Sequence, residues 1–304
     1  MREILNDTRV KYQINSHEIK PVTSKSYLMK CQAGNCFFIK KTELYTEDKF
    51  AFLKEQGITN VIYPIKNTNN KYITTYNQGL YYLTDYYHDR QYSNQHKAVK
   101  LSRELANLHH NTDYKKPLSV EFSRKKVEEL YEYFRYKFST IELFIRTVEA
   151  QPFDEYSIVI LKNYQYIILG EKKIAALHKK LIEHVKSRKS VSHSFIHNNP
   201  KFNHLINVEG SDYLISIDNS KIGIPSLDIA KFYIEAEDIT LDIKSLINQY
   251  FEQYDDDFYF DYFCFLVLLY YVKGININGK DYVSSQSFIY AASSIKKFIE
   301  TFLS

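Results

Sequence analysis

The residues with chemical capability gather between positions 192 and 228. Ser192, His193 and Ser194 come first, then His197-Asn198-Asn199-Pro200-Lys201-Phe202-Asn203-His204, then Ile217-Asp218 and Gly223-Ile224-Pro225-Ser226-Leu227-Asp228. The run is rich in amides and imidazoles, yet no Asp or Glu occurs from position 186 to 208. An amide holds a hydroxyl in place but does not take its proton at neutral pH. Losing a general base commonly costs about 10² to 10⁴ in rate. The two serines beside His193 have no carboxylate arranged to complete a nucleophilic triad, which disfavours a hydrolase. Asp218, just ahead of Asn219-Ser220, is open to two readings, a turn-forming residue or a ligand for a hard cation. Asp228 suits a helix start. His109-His110 reads as a helix end, because adjacent helical residues do not share the face a metal pair needs. Asp255-Asp256-Asp257 lacks calcium-loop spacing and suits the positive end of the apolar helix that follows.

The chain that must position these groups has 304 residues, enough for one large domain or two modest ones. Hydrophobic content of 44% and charged content of 25% are those of a globular protein. A net charge of +4, with Lys and Arg dispersed, argues against a nucleic-acid partner while leaving room for a local anionic ligand. The 28 Tyr and 20 Phe have two readings, codon bias with core packing or a sticky, cross-linkable surface. Cys31, Cys36 and Cys264 lack CxxC spacing and read as packed thiols. The first seven residues show no apolar signal core, and the longest apolar run, 262–272, falls short of the roughly 20 residues that span a bilayer. A cytoplasmic protein with no membrane span is expected.

The periodicity changes along the chain. Residues 26–31 and 36–40 alternate as strands around Ala33-Gly34-Asn35, a hairpin signal. Residues 47–56 form a short helix stopped by Gly57, then 60–63, 71–76 and 80–86 read as strands, the last two joined by Asn77-Gln78-Gly79. From about residue 93 the pattern is helical. Ala98, Leu101, Leu105 and Leu108 share a face, and helices are predicted over 125–136, 139–147, 158–184, 245–254, 259–272 and 285–302. Short β patches at 195–196, 204–206 and 213–217 interrupt the helices. The expectation is α+β, with a β-rich N-terminal lobe over residues 1–86 and a mainly helical lobe over 87–304.

Several fragments resemble one superfamily, in order. The segment 82–90, beginning Tyr82-Leu83-Thr84-Asp85, is similar to the interlobe hinge of aminoglycoside phosphotransferase and choline kinase-like proteins. Leu105-Ala106-Asn107-Leu108-His109 resembles the end of their next helix. His197-Asn198-Asn199 is similar to their His-x-Asp catalytic loop, and Asp218 with Gly223, Pro225 and Asp228 to their metal-binding segment and trailing helix. Within the superfamily the chain is most similar to the spore-coat-associated kinase-like proteins of Gram-positive bacteria, with the choline kinase-like branch second.

The resemblance implies a bilobal protein kinase-like fold and a set of site residues. Asn199 takes the position of the catalytic Asp, and His197 packs its loop. Asp218 would bind Mg²⁺. The second metal ligand aligns with His204, whose imidazole suits Mg²⁺ poorly, or with Asn203 if the loop is one residue shorter. Lys40 takes the phosphate-pairing position, Glu47 that of its helix partner, and Phe38, on the same strand face, roofs a nucleotide. Leu83 lies on the hinge. The loop 20–25 has no glycine, so backbone amides cannot approach phosphates closely without strain. The expectation is a pseudokinase with a binding or structural role, with spore-coat or other protein partners and a small-molecule ligand in the interlobe cleft. Deposition on the forespore coat is one location. The alternatives are an active ATP- and Mg²⁺-dependent small-molecule kinase, and a nucleotide-binding module without transfer.

Overall fold

The computed structural model describes residues 8–31, 36–76, 79–89, 92–116, 120–188, 190–254 and 256–303. The expected hairpin turn at 33–35, the Asn77-Gln78 turn and the first seven residues lie outside them. Packing divides the chain into two compact units, residues 1–113 with 194–223 and residues 114–193 with 224–304.

The first unit carries a five-stranded antiparallel sheet in the order β1-β2-β3-β5-β4. Its strands are β1 (Ser16–Thr23), β2 (Ser26–Cys31), β3 (Cys36–Thr42), β4 (Thr74–Tyr76) and β5 (Gly79–Asp85), with helix α1 (Thr46–Glu55) between β3 and β4. Two details differ from the sequence reading. Residues 60–63 make no strand, only an isolated parallel bridge of Val61 with Leu214. In their place β1 joins the other edge, running through what the sequence suggested was a loop. The order is therefore β-β-β-α-β-β. The β1–β2 turn needs no glycine, because side chains close it. Thr23 and Ser26 hydroxyls bond at 2.7 Å, and the Lys25 N–H donates to Thr23 Oγ1 at 3.2 Å.

Strand alternation gives the sheet two chemically distinct faces. Met29, Ile39 and Leu83 form a buried apolar cluster on one, packed by Tyr12, Ile14 and Ile65. Register places Lys40 opposite Tyr82 and Phe38 opposite Thr84 on the other. Phe50 of α1 covers that second face, with its ring 5.7 Å from Tyr82 and 6.0 Å from Tyr72. The helix stops as expected, with Gly57 in the left-handed region and the Ile58 N–H returning to the Leu53 carbonyl.

The rest of this unit is α2 (Asn94–Asn111), the β8–β9 hairpin (Leu205–Val208, Ser211–Leu214) and β10 (Lys221–Gly223). The predicted α2 stripe of Ala98, Leu101, Leu105 and Leu108 is wholly buried. β10 pairs with residues 194–196 of β7 (Val191–Ile196). The remainder of β7 pairs with β6 (Tyr114–Lys116) in the second unit.

The second unit is helical: α3 (Val120–Ala150), α4 (Glu155–Lys186), α5 (Ser226–Ala236), α6 (Ile243–Phe251), α7 (Asp257–Lys273) and α8 (Tyr282–Phe302). The two helices predicted over 125–147 are one continuous α3. Gly170 lets α4 and α8 approach closely, since a Cβ there would stand 3.1 Å from Ile295. Asp228 does not cap α5; Pro225 holds that position and Asp228 is buried in the first turn. Asp256 does cap α7, accepting from the Phe258 N–H at 2.9 Å. The apolar run 262–272 is the buried body of α7. Among the described residues no helix is long and apolar enough to cross a membrane. Cys31 and Cys264 are buried. Tyr233 packs among Phe263, Phe298 and Phe302, while Tyr136 and Tyr282 are exposed.

Candidate functional site

The site lies within the first unit and is assembled around Asp218. Period-two alternation turns Lys40 and Thr42 of β3 to one face, and register sets Tyr82 across from Lys40. These three side chains converge on the Asp218 carboxylate. The Lys40 ammonium forms an ion pair with Oδ2, the Thr42 hydroxyl donates to Oδ1 at 3.4 Å, and the buried Tyr82 phenol lies close enough to feel the Asp218 charge. Burial, reinforced by the Asp218 charge, pushes the Tyr82 phenol well above its usual range, which keeps it a donor.

Helix α1 adds a fourth partner. Thr46, Phe50 and Leu53 make its buried stripe, and Lys49 falls within that stripe. Its ammonium donates to the Asp218 backbone carbonyl. Burial pulls the Lys49 ammonium down, opposed by the charges of Asp218 and Glu43. Ser216 supplies the last contact, accepting from Lys40 at 3.2 Å. Its backbone is left-handed, φ 64°, a costly setting for serine that persists where surrounding bonds hold it.

The loop 197–204 is tied down largely by its histidines and backbone. His197 is fully buried. Its Nε2–H donates to the Ile215 carbonyl at 2.8 Å, and its Nδ1 accepts from the Asn199 N–H at 3.3 Å. His204 Nδ1–H donates to the Asn199 carbonyl at 2.7 Å, and the two imidazoles stack at 5.5 Å. Burial is the main reason the His204 imidazole is pulled down to about 4. Asn198 adopts φ 62°, tolerable for asparagine, and its amide donates to the Asn219 carbonyl at 3.0 Å. The bonds that hold Asn199 are made by its backbone.

The structure therefore pairs Lys40 with Asp218 and joins His197, Asn199 and His204 in one loop, while the other expected residues of the same unit have different surroundings. Glu47 does not take Lys40 as its partner; its carboxylate accepts from the Tyr72 and Ile73 N–H groups at 3.0 and 2.7 Å, bracing the approach to β4. Leu83 is wholly buried on the opposite sheet face, and its carbonyl accepts from the Ile65 N–H at 2.7 Å. Phe38, half-buried, shares the Lys40 face. Asn203 is exposed in the short turn Phe202–His204. Sequence reasoning missed Lys49, Thr42, Tyr82 and Ser216. The place of Lys49 on the apolar stripe of α1 was the signal for the first.

The donor set does not fit Mg²⁺, which asks for several oxygens in tight octahedral geometry. One carboxylate is at hand, already bonded by Lys40 and Thr42. Among the described residues no group of three or more His, Cys, Asp or Glu side chains could hold a metal ion.

No protein-family model and no curated protein matches the sequence. Solved structures do match. An aminoglycoside phosphotransferase from Alicyclobacillus acidocaldarius superposes with a TM-score of 0.71 at 10% identity, over 95% of this chain and 92% of that one. The fold is that of the phosphotransferases. A spectinomycin phosphotransferase, in complex with ADP and spectinomycin, gives 0.56 at 13% identity over 100% and 97%. A choline kinase from Streptococcus pneumoniae gives 0.51 at 14% over 97% and 98%. The N-terminal antiparallel sheet and mostly helical remainder match the bilobal kinase-like architecture of these neighbours.

Proposed function

We propose that this chain is a pseudokinase, a kinase-like protein impaired in phosphoryl transfer that acts by binding. The observation that carries the reading is Asn199. It occupies the position the resemblance gives to the catalytic carboxylate, its hydrogen bonds run through its backbone, and no acidic residue lies between positions 186 and 208. Without a group to orient and deprotonate an acceptor hydroxyl, transfer loses one of its few protein contributions. Lobes of residues 1–86 and 87–304 belong to this reading and follow the change from strand to helix. The test is ATP turnover by the full chain with Mg²⁺ and a panel of amino-alcohol and sugar acceptors. No product above buffer is expected; sustained phosphate transfer would overturn the proposal.

The resemblance also supports a place in the spore coat, where exposed tyrosines such as Tyr136 and Tyr282 would face other proteins. A fluorescent fusion under its own promoter should concentrate at the forespore surface. Signal spread evenly through sporulating cells would remove the coat role. The retained Lys40–Asp218 pair favours the second reading, an active small-molecule kinase. In that case Asp218→Ala would abolish turnover that the wild type displays.

A further inference from the structure

Two ammoniums bear on Asp218: Lys40 pairs with its carboxylate and Lys49 donates to its main-chain carbonyl, and both are partly buried. An ammonium has three N–H donors. Lys40 directs bonds to Asp218 and Ser216, and Lys49 directs one to the Asp218 carbonyl. Donor capacity remains on both, and Lys201 lies close enough to add to the positive field acting on His204 along with Lys40. The carboxylate already pairs with the Lys40 ammonium and accepts from the Thr42 hydroxyl. A divalent cation there would compete with the Lys40 ammonium, and its second ligand position is an imidazole bonded to the Asn199 carbonyl. The corner is short of acceptors and rich in donors, the opposite of a metal site.

We infer that Lys40 and Lys49 together form a metal-independent site for the phosphate groups of a nucleotide, with Lys49 standing in for the divalent cation. The inference rests on the reading of the chain as a binding protein and names what that site takes. Phosphate oxygens accept charge-assisted bonds from both ammoniums. Lys25, in the turn where backbone amides could otherwise help, already has its N–H engaged by Thr23. Affinity therefore depends on side-chain charge, and Lys49 is its specificity-determining residue.

Calorimetric titration of the full chain with ADP, in EDTA and separately in excess Mg²⁺, tests this. Saturable binding in EDTA is expected, with Mg²⁺ leaving the affinity within about twofold or weakening it. Lys49→Gln keeps an N–H donor for the Asp218 carbonyl while removing the charge, and should weaken ADP by about tenfold or more in EDTA. Thermal melting of the variant reports its folding, and exposed Lys41→Gln should bind as the wild type does. Adenosine, lacking phosphates, should bind far more weakly than ADP. Absence of ADP binding in EDTA, tightening by Mg²⁺ of about tenfold, an unaffected folded Lys49→Gln, or adenosine binding as well as ADP would each overturn the inference. Phosphate transfer measured on the same samples bears on the proposed function instead, so the two failures are separable.

Discussion

The Asp218 corner and the 197–204 loop differ in what holds them. Around Asp218 charge is retained and consumed internally: two ammoniums and two hydroxyls converge on one residue. In the loop a carboxylate is missing, and the conformation is kept by imidazoles, amides and main chain. Phosphoryl transfer asks for countercharge and for a positioned base, and on the proposed pseudokinase reading the two demands have separated here. A site can keep the first without the second, so geometry that still looks enzymatic around one residue does not license activity for the whole.

Four perturbations probe that contrast. Asp218→Ala leaves the partly buried Lys40 ammonium without its carboxylate, while Lys49 keeps its main-chain acceptor, and unfolding in urea should show a loss of about 3–5 kcal/mol. A loss below about 1 kcal/mol would mean the ion pair behaves as an ordinary surface pair. Acidification acts on the loop instead. Because burial holds the folded His204 at about 4, below its usual 6.5, the unfolded chain binds more protons between those values. This contribution to stability is complete above about pH 6.5 and falls as pH drops toward 4, by on the order of 3 kcal/mol. His204→Asn should flatten that part of the pH–stability curve; an unchanged slope would show the imidazole is not responsible. His197→Phe strands the Ile215 carbonyl and the Asn199 N–H and should cost about 2–3 kcal/mol by the same urea measurement. Asn199→Ala, which spares the backbone bonds, should change stability by less than about 0.5 kcal/mol and leave ATP turnover at background. A large effect there would give the Asn199 side chain a role beyond the loop's scaffolding.

Much of this was legible in the chain. Alternation in residues 36–40 put Lys40 and Phe38 on one face, the Gly57 stop ended α1, and the 98–108 stripe fixed α2, because these are local signals with fixed periods. Partners that depend on long-range docking were not. Glu47 looked like a mate for Lys40, since a first-turn acid beside a strand lysine is all that sequence shows. Only the position of the segment before β4 reveals that its carboxylate is bonded to the Tyr72 and Ile73 amides. Leu83 was assigned by its place in a motif, and the β3–β5 register puts it with Ile39 on the other face. Lys49 was not singled out in the sequence, although it shares a helix face with Thr46, Phe50 and Leu53, which are buried. β1 was missed because Lys20-Pro21 resembles a loop, whereas an edge strand accommodates proline.

The hydroxyl-closed turn between β1 and β2 has a consequence for how a guest would leave. Fixed amide dipoles hold an anion with little help from mobile charge, whereas lysine side chains lose their pull as ions crowd around them. With the Lys25 N–H already occupied, retention at this corner becomes a function of ionic strength. Dilute solution would favour a loaded protein and concentrated electrolyte an empty one.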